Sequence, residues 1–283
     1  MNSVVIAKFG GSTIGVDGTS IPVIIQRINS LSKNAKVIAV FSAPLTNVEG
    51  KHRSLTDIAL DLGKRAENGE ISDLIILRKT YEKILELVGS EFQEKCKTII
   101  DDCLDKVRTE LEKAKEKKEF TDEVRSKTLA FSGEILMSHV MEYILQSNGI
   151  KSKVVGLDNW PIITDSNIES TNFLASESSK KIEFLEKLLD ENQVITIGGF
   201  IGRTTDGIVT TYERGGSDRT AADLGILLHK KFDVKIDLEK DSSVVSADPR
   251  IVKDGLTEVR SISYNEARLA GMFGMNILDP IAI

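Results

Sequence analysis

Two glycine pairs, each beside charged side chains, are the places where this sequence could handle phosphate. One is Lys8-Phe9-Gly10-Gly11-Ser12, and the other, about two hundred residues later, is Arg214-Gly215-Gly216-Ser217-Asp218. Each follows an apolar stretch and precedes a helical one. Paired glycines let backbone N–H groups approach a phosphate closely, because no Cβ stands in the way. A helix starting just afterwards adds unsatisfied donors and the positive end of its dipole. With a lysine on one loop and an arginine and an aspartate on the other, the pair could close on a transferring phosphoryl group from both sides. No G-x-x-x-x-G-K-[ST] string occurs, which excludes a P-loop NTPase, and the H-R-D and D-F-G set of protein kinases is absent.

Each of these residues also has a plainer reading. Lys8 can be a surface lysine beside a tight turn. Asp218 can be no more than the N-cap of the helix it opens. Arg214 can grip a carboxylate bidentately, which a lysine cannot. Glu134 follows Gly133 in a mostly apolar stretch; semi-buried it would want a cation such as an ammonium group, and on the surface it would be an ordinary glutamate. Arg214 with Glu134 would match the α-carboxylate and α-amino groups of an amino acid. A glycine inside a helix costs about 1 kcal/mol relative to alanine, so Gly133 needs a packing or ligand reason.

The elements that must position these groups follow from periodicity. Residues 4–9 read as a buried strand, 21–32 as a helix with Ile24, Ile25, Ile28 and Leu31 on one side, and 36–41 as a second strand. That is a β-loop-α-β unit of the kind that builds parallel sheets. The turn at Ser42-Ala43-Pro44 then lies just past a strand's carboxyl end, where ligand loops sit in open α/β folds. Residues 55–147 read as nearly all helical, with Cys96, Ile100, Cys103, Leu104, Val107 and Leu111 in one stripe and Thr121 as a later N-cap. Further strands are expected at 153–157, 193–197, 208–211 and 232–238, helices at 180–189, 220–229 and 263–273, and a hairpin turn at Asp206-Gly207.

A net charge of −6, from 37 basic and 43 acidic residues, argues against a nucleic-acid binder or a protein docked on anionic lipid. No run of 18 apolar residues occurs and the N-terminus leads straight into a strand, so neither a membrane span nor a leader is expected. The two cysteines, Cys96 and Cys103, read as core thiols on one helix face, and three histidines offer no zinc-type cluster. The expected compartment is the cytoplasm, and no protein metal ligand is assigned.

Seven strings in order carry a family resemblance: Val5-Ile6-Ala7-Lys8-Phe9-Gly10-Gly11-Ser12, Phe41-Ser42-Ala43, Ser132-Gly133-Glu134, Gly198-Gly199-Phe200-Ile201-Gly202, Arg214-Gly215-Gly216-Ser217-Asp218, Ala247-Asp248-Pro249-Arg250-Ile251-Val252 and Ile262-Ser263-Tyr264-Asn265-Glu266-Ala267. Together they resemble the catalytic domain of the aspartate kinases, in the amino-acid kinase superfamily, over residues 4 to about 280. The resemblance implies a three-layer α-β-α sandwich around a mainly parallel open sheet, with a helical insertion in the N-terminal lobe. It implies an amino-acid-binding lobe over 1–195, including the helical region at about 55–147, and a nucleotide-binding lobe over 196–283, divided near 192–198. By motif position, Lys8 would stabilise the moving phosphoryl group, with Gly10, Gly11 and Ser12 around the phosphates. Glu134 would take the substrate ammonium and Arg214 a substrate carboxylate, while Ser42, Gly215, Gly216 and Ser217 line the acceptor pocket. Asp218 would orient the cationic groups, and Asp237, Asp248 and Arg250 would meet the nucleotide. The implied reaction converts L-aspartate and ATP, with Mg2+ held mainly through the phosphates, into 4-phospho-L-aspartate and ADP, the entry to lysine, threonine and methionine synthesis. A homodimer is the expected assembly.

The sequence departs from the family pattern in four places. The interval between Asp237 and Asp248 is longer than usual. The family lysine beyond D-P-R is missing, with Leu256 nearest that place and Lys253 an offset candidate. Leu157-Asp158-Asn159-Trp160-Pro161 replaces a smaller loop, where Trp160 is either a cap over the core or a substrate contact. No regulatory ACT domain is expected within these residues. Two alternatives stay open: a kinase of a related amino acid such as homoserine, whose hydroxyl would need Asp218 as proton acceptor, and a non-catalytic nucleotide-binding subunit.

Overall fold

The run Val4-Val5-Ile6-Ala7 has no polar side to offer solvent, so a strand built from it must be covered on both faces. The computed structural model describes residues 3–70, 73–213, 215–247, 251–273, 279, 281 and 282. In it, β1 (Ser3–Phe9) is buried from Val4 onward. Then follow α1 (Gly11–Ile14), α2 (Ile21–Ser32), β2 (Lys36–Phe41), and the hairpin of β3 (Leu45–Val48) and β4 (Lys51–Ser54). The helical region comprises α3 (Leu55–Glu67), α4 (Ile75–Leu85), α5 (Ser90–Lys117), α6 (Asp122–Ser132) and α7 (Glu134–Ser147). After it come β5 (Ser152–Val154), α8 (Ala175–Ser179), α9 (Ile182–Glu191), β6 (Val194–Gly198), and the hairpin of β7 (Ile201–Arg203) and β8 (Val209–Thr211). The described chain continues with α10 (Gly216–Leu228), β9 (Asp233–Glu239) and α11 (Tyr264–Met272).

Five strands form one parallel sheet in the order β5-β6-β2-β1-β9. Register and pleat decide which helix each side chain meets. Ile6 pairs with Ile236, and both reach Gly225 of α10. Asp237, one residue on, instead meets Arg27 of α2. Helices α2 and α10 therefore cover opposite faces. On the α2 side, α7 joins β6 through the Thr196 hydroxyl, which donates to the Ser138 carbonyl at 2.9 Å. On the α10 side, α9 is tied to the end of α10 by Lys231–Glu186 at 2.7 Å. These are the three layers that the resemblance to the aspartate kinases implied. In α5 the expected stripe is buried, and Cys96 and Cys103 are free core thiols, their pKa values pushed up by burial to about 12 and about 11.

Several local expectations need correction. The strand expected at 153–157 stops at Val154, and a 3-10 turn at Leu157–Asn159 follows. That turn lets the Trp160 indole donate to the Ile201 carbonyl at 3.0 Å, so the tryptophan is a core cap, 1% exposed. The segment after Ser42 is not a plain loop but a hairpin, turned by Glu49 and Gly50 at positive φ. Thr121 takes the N-cap position of α6, yet its hydroxyl bonds to Glu119 rather than capping. Helix α10 starts at Gly216, four residues before the expected 220, because the glycine pair masks a helix start that tertiary packing supports.

Candidate active site

In a parallel sheet, strand ends that follow the same direction share one edge. Here Phe9, Phe41, Gly198 and Glu239 end β1, β2, β6 and β9. The loops leaving them are stitched together: Ser42 N–H donates to Phe9 O at 3.1 Å and Gly199 N–H to Phe41 O at 2.8 Å. The Thr13 hydroxyl closes the set by donating to Glu239 O at 3.1 Å. Helix α10 enters at this edge, so its first turn faces the glycine loop after β1.

The pleat puts Lys8 on the α10 face, and there its Nζ lies 2.8 Å from Asp218 Oδ1. Both side chains are about nine-tenths buried, at 10% and 7% exposure. The ammonium curls over the loop, since a Cβ on Gly10 would lie 3.2 Å from it. Asp218 is not the cap of α10: Gly215 holds that position at φ +92, and the Asp218 carboxylate faces Lys8 instead. Its second oxygen accepts from Asp279 N–H at 3.3 Å and stands 3.9 Å from Lys240 Nζ. Burial lowers the Lys240 pKa; Asp218 opposes that and Lys8 adds to it. Asp279 in turn holds Arg219 at 2.7 Å. The chain between β6 and β7 passes through Phe200 at φ +70, a strained conformation for a bulky residue, with its N–H donating to Thr220 Oγ1 at 3.0 Å.

A second group lies beside the first. The Ser42 hydroxyl donates to Ser217 Oγ at 2.9 Å, which joins the turn after β2 to α10. Helices α6 and α7 break at Gly133, and Tyr81 OH donates to the carbonyls of Ser132 and Gly133 at 3.1 and 3.0 Å. The Ser132 carbonyl would otherwise be orphaned at the end of α6, whereas that of Gly133 also accepts from Met137 N–H at 2.8 Å. Gly133 has the packing reason its position required: a Cβ there would sit 2.8 Å from Ala43 Cβ, and one on Gly11 would sit 2.6 Å from Ala43 O. The glycine loop after β1, the Ser42-Ala43 turn and the start of α7 are thus stacked closely on one another.

Glu134 opens α7 and is 4% exposed, not a surface glutamate. Burial pushes its pKa up to about 7, against hydrogen bonds from its own N–H, from Ala43 N–H and from Thr56, whose hydroxyl is 3.4 Å away. Oε2 has no hydrogen-bond partner among the described residues. A buried carboxylate in that state calls for a cation.

The remaining sequence candidates are placed differently. Arg214, Asp248 and Arg250 lie outside the described residues. Ser12 is exposed within α1, a helix of one turn that adds little dipole. Gly216 lies inside α10 against Tyr212 and Phe200. Asp237 is not brought to the Lys8 cluster: it is on the α2 face, bound by Arg27 Nη2 at 2.6 Å. Lys253 is exposed, between arms joined by Ser246 N–H to Thr257 O at 2.9 Å and Val259 N–H to Val244 O at 2.8 Å. Lys240, Asp279, Tyr81 and Thr56 were not singled out by sequence reasoning. Only Lys240 carried a signal, as the residue leaving a strand expected to lie in the same sheet.

Comparisons with known proteins bear on the family and the fold. The model of the amino acid kinase family matches residues 3–283. An aspartokinase of Rickettsia felis is 33% identical over 153 residues, 54% of this chain and 36% of that protein. The chloroplastic bifunctional aspartokinase/homoserine dehydrogenase 2 of Arabidopsis thaliana is 28% identical over 98% of this chain and 29% of its own length. The chain thus spans about a third of these curated relatives. Among solved structures, E. coli aspartokinase III in complex with aspartate and ADP superposes with a TM-score of 0.78 at 22% identity, over 99% of this chain and 58% of that one. Clostridium acetobutylicum aspartate kinase superposes with a TM-score of 0.66 at 24% identity, over 98% and 57%. Both share the fold described above. With its fold matched from end to end and its family model covering nearly every residue, this chain belongs to the amino acid kinase family.

Proposed function

We propose that this chain is the catalytic part of an aspartate kinase, transferring the γ-phosphoryl group of ATP to the side-chain carboxylate of L-aspartate to give 4-phospho-L-aspartate and ADP. The observation that carries the reading is the coexistence, at one sheet edge, of a buried Lys8–Asp218 pair beside a glycine loop and a buried carboxylate, Glu134, with an unpartnered oxygen. Names of similar proteins support the same acceptor, since the relatives include aspartokinases.

The chemistry needs no general base. An aspartate side chain is already ionised at neutral pH, and phosphoryl transfer depends on alignment and charge neutralisation. Lys8 would offset charge on the transferring group, fixed in place by Asp218. Glu134 would hold the substrate ammonium and Arg214 the α-carboxylate, with Ser42 and Ser217 offering hydroxyls between them. Asp248, Arg250 and Lys253 belong to the nucleotide side of the proposal, as do residues 196–283 as a lobe, with 1–195 holding the acceptor. Among the described residues no three of His, Cys, Asp or Glu gather as a metal cage. In this proposal Mg2+ arrives on the nucleotide's phosphates, where it would screen their charge. No helix among the described residues is long and apolar enough to cross a membrane. The proposed assembly is a homodimer.

An acceptor screen tests the reading. The chain, with Mg2+ and ATP, is offered aspartate, homoserine, glutamate and carbamate in turn, and ADP release is followed. Release with aspartate well above the acceptor-free rate is expected. Release with homoserine alone would replace the acceptor, and release with none would leave only nucleotide binding.

A further inference from the structure

One charged residue at the site has no assigned task. Lys240 is the first residue after β9, and β9 lies parallel beside β1 with Leu238 opposite Lys8. Thr13 fastens the glycine loop to Glu239, the residue just before it. Lys240 therefore leaves the sheet alongside the loop that Lys8 overhangs. Its ammonium points to the same carboxylate as Lys8, at 3.9 Å from Asp218 Oδ2 against 2.8 Å for Lys8 on Oδ1.

Among the described residues, two cations on one carboxylate leave a surplus positive charge at a partly enclosed edge. Asp241 also attracts Lys240, but it is exposed and its field is damped by solvent. Asp279 does not balance the surplus, because its carboxylate holds Arg219. A purely structural counterion would close to hydrogen-bond distance. Lys8 does so; at 3.9 Å Lys240 stands outside it, and among the described residues no hydrogen bond engages its three donors. Its side chain is also 32% exposed where that of Lys8 is 10%, so it is reachable from the edge.

We propose that Lys240 is a second phosphate-contacting residue, bracketing the nucleotide's terminal phosphates together with Lys8 across Asp218. This rests on the kinase reading above and deepens it. It also gives the site a second cation from β9, where the sequence offered only Lys253 as an offset candidate for the lysine missing beyond D-P-R.

The test is binding of ATP and of AMP, each with Mg2+ and without acceptor, by titration calorimetry on wild type, Lys240→Met, Lys240→Gln and Lys240→Arg. Loss of a charge-assisted contact should weaken ATP binding by about tenfold or more in the Met and Gln variants, with AMP within about twofold and the Arg variant largely restored. Unchanged ATP binding, or equal weakening of ATP and AMP, overturns the assignment. Intact ATP binding with no turnover of aspartate would sink the acceptor reading and leave Lys240 in place. A wild-type chain that binds no ATP overturns both.

Discussion

Burying a lysine and an aspartate together costs solvation that their attraction repays only with good geometry, and removing one partner leaves the other uncompensated. The Lys8–Asp218 pair is asymmetric in this respect. Without Lys8, Asp218 still has Lys240 and the Asp279 N–H. Without Asp218, two ammonium groups confront each other. Lys8→Ala should therefore lower turnover by at least about two orders of magnitude with little effect on melting. Asp218→Ala should lose both turnover and, on the order of 3 kcal/mol, stability. Equal melting of the two variants would contradict this charge arrangement. Glu134 gives a pH signature. Its pKa is raised from 4.5 to about 7, so the folded state holds the proton more tightly than the unfolded chain. Its favourable share is therefore present below about pH 4.5 and lost as pH rises through about 7, a loss on the order of 3 kcal/mol. Glu134→Gln should melt higher than wild type at pH 8 and alike at pH 4; identical melting at pH 8 would argue against a buried, ionising Glu134. Since an ammonium ligand favours the ionised form, acceptor affinity should rise with pH through the same window in wild type and stay flat in the variant. Lys8, Glu134, Ser217 and Asp218 drew attention because each lies in a short string containing glycine or serine, and Ser42 because its turn lies just past a strand's carboxyl end. Asp279 was not, since its contacts to Asp218 and Arg219 span some 60 residues and no local pattern encodes them.

At the scale of elements, the site is positioned by backbone contact. Gly11 and Gly133 both press on Ala43, and Tyr81 holds the break between α6 and α7. Gly133→Ala should cost about 1–3 kcal/mol by overpacking, and Ala43→Gly in the same chain should return part of it. Thermal melting of the two single variants and the double reads the coupling; additive losses would mean that the two backbones do not meet as described. The strands were legible wherever a short, mostly apolar run is buried on both faces, as in β1, β2 and β6. The β3–β4 hairpin was not, because its strand Lys51–Ser54 is polar and its turn residues are Glu49 and Gly50 rather than a stronger turn pair.

For the whole molecule, Trp160 is a single built-in reporter. It links the segment after β5 to β7 through the Ile201 carbonyl and is fully enclosed. Its emission should be blue-shifted in the native protein and move red in one transition that coincides with loss of helical dichroism. Separate transitions would show the parts of the sheet unfolding independently. The parallel sheet was legible in the β-loop-α-β rhythm, and the three-layer plan came from the resemblance to the aspartate kinases. Which helix covers which face was not, since it depends on the register that sets Ile236 toward α10 and Asp237 toward Arg27.

Trapping the product with hydroxylamine tests the central claim most directly. Aspartate, ATP and Mg2+ with the wild-type chain should yield aspartyl hydroxamate in step with ADP, and Lys8→Ala should yield neither. ADP released without hydroxamate, or hydroxamate formed equally well by the Lys8 variant, would contradict a carboxylate acceptor served by that lysine.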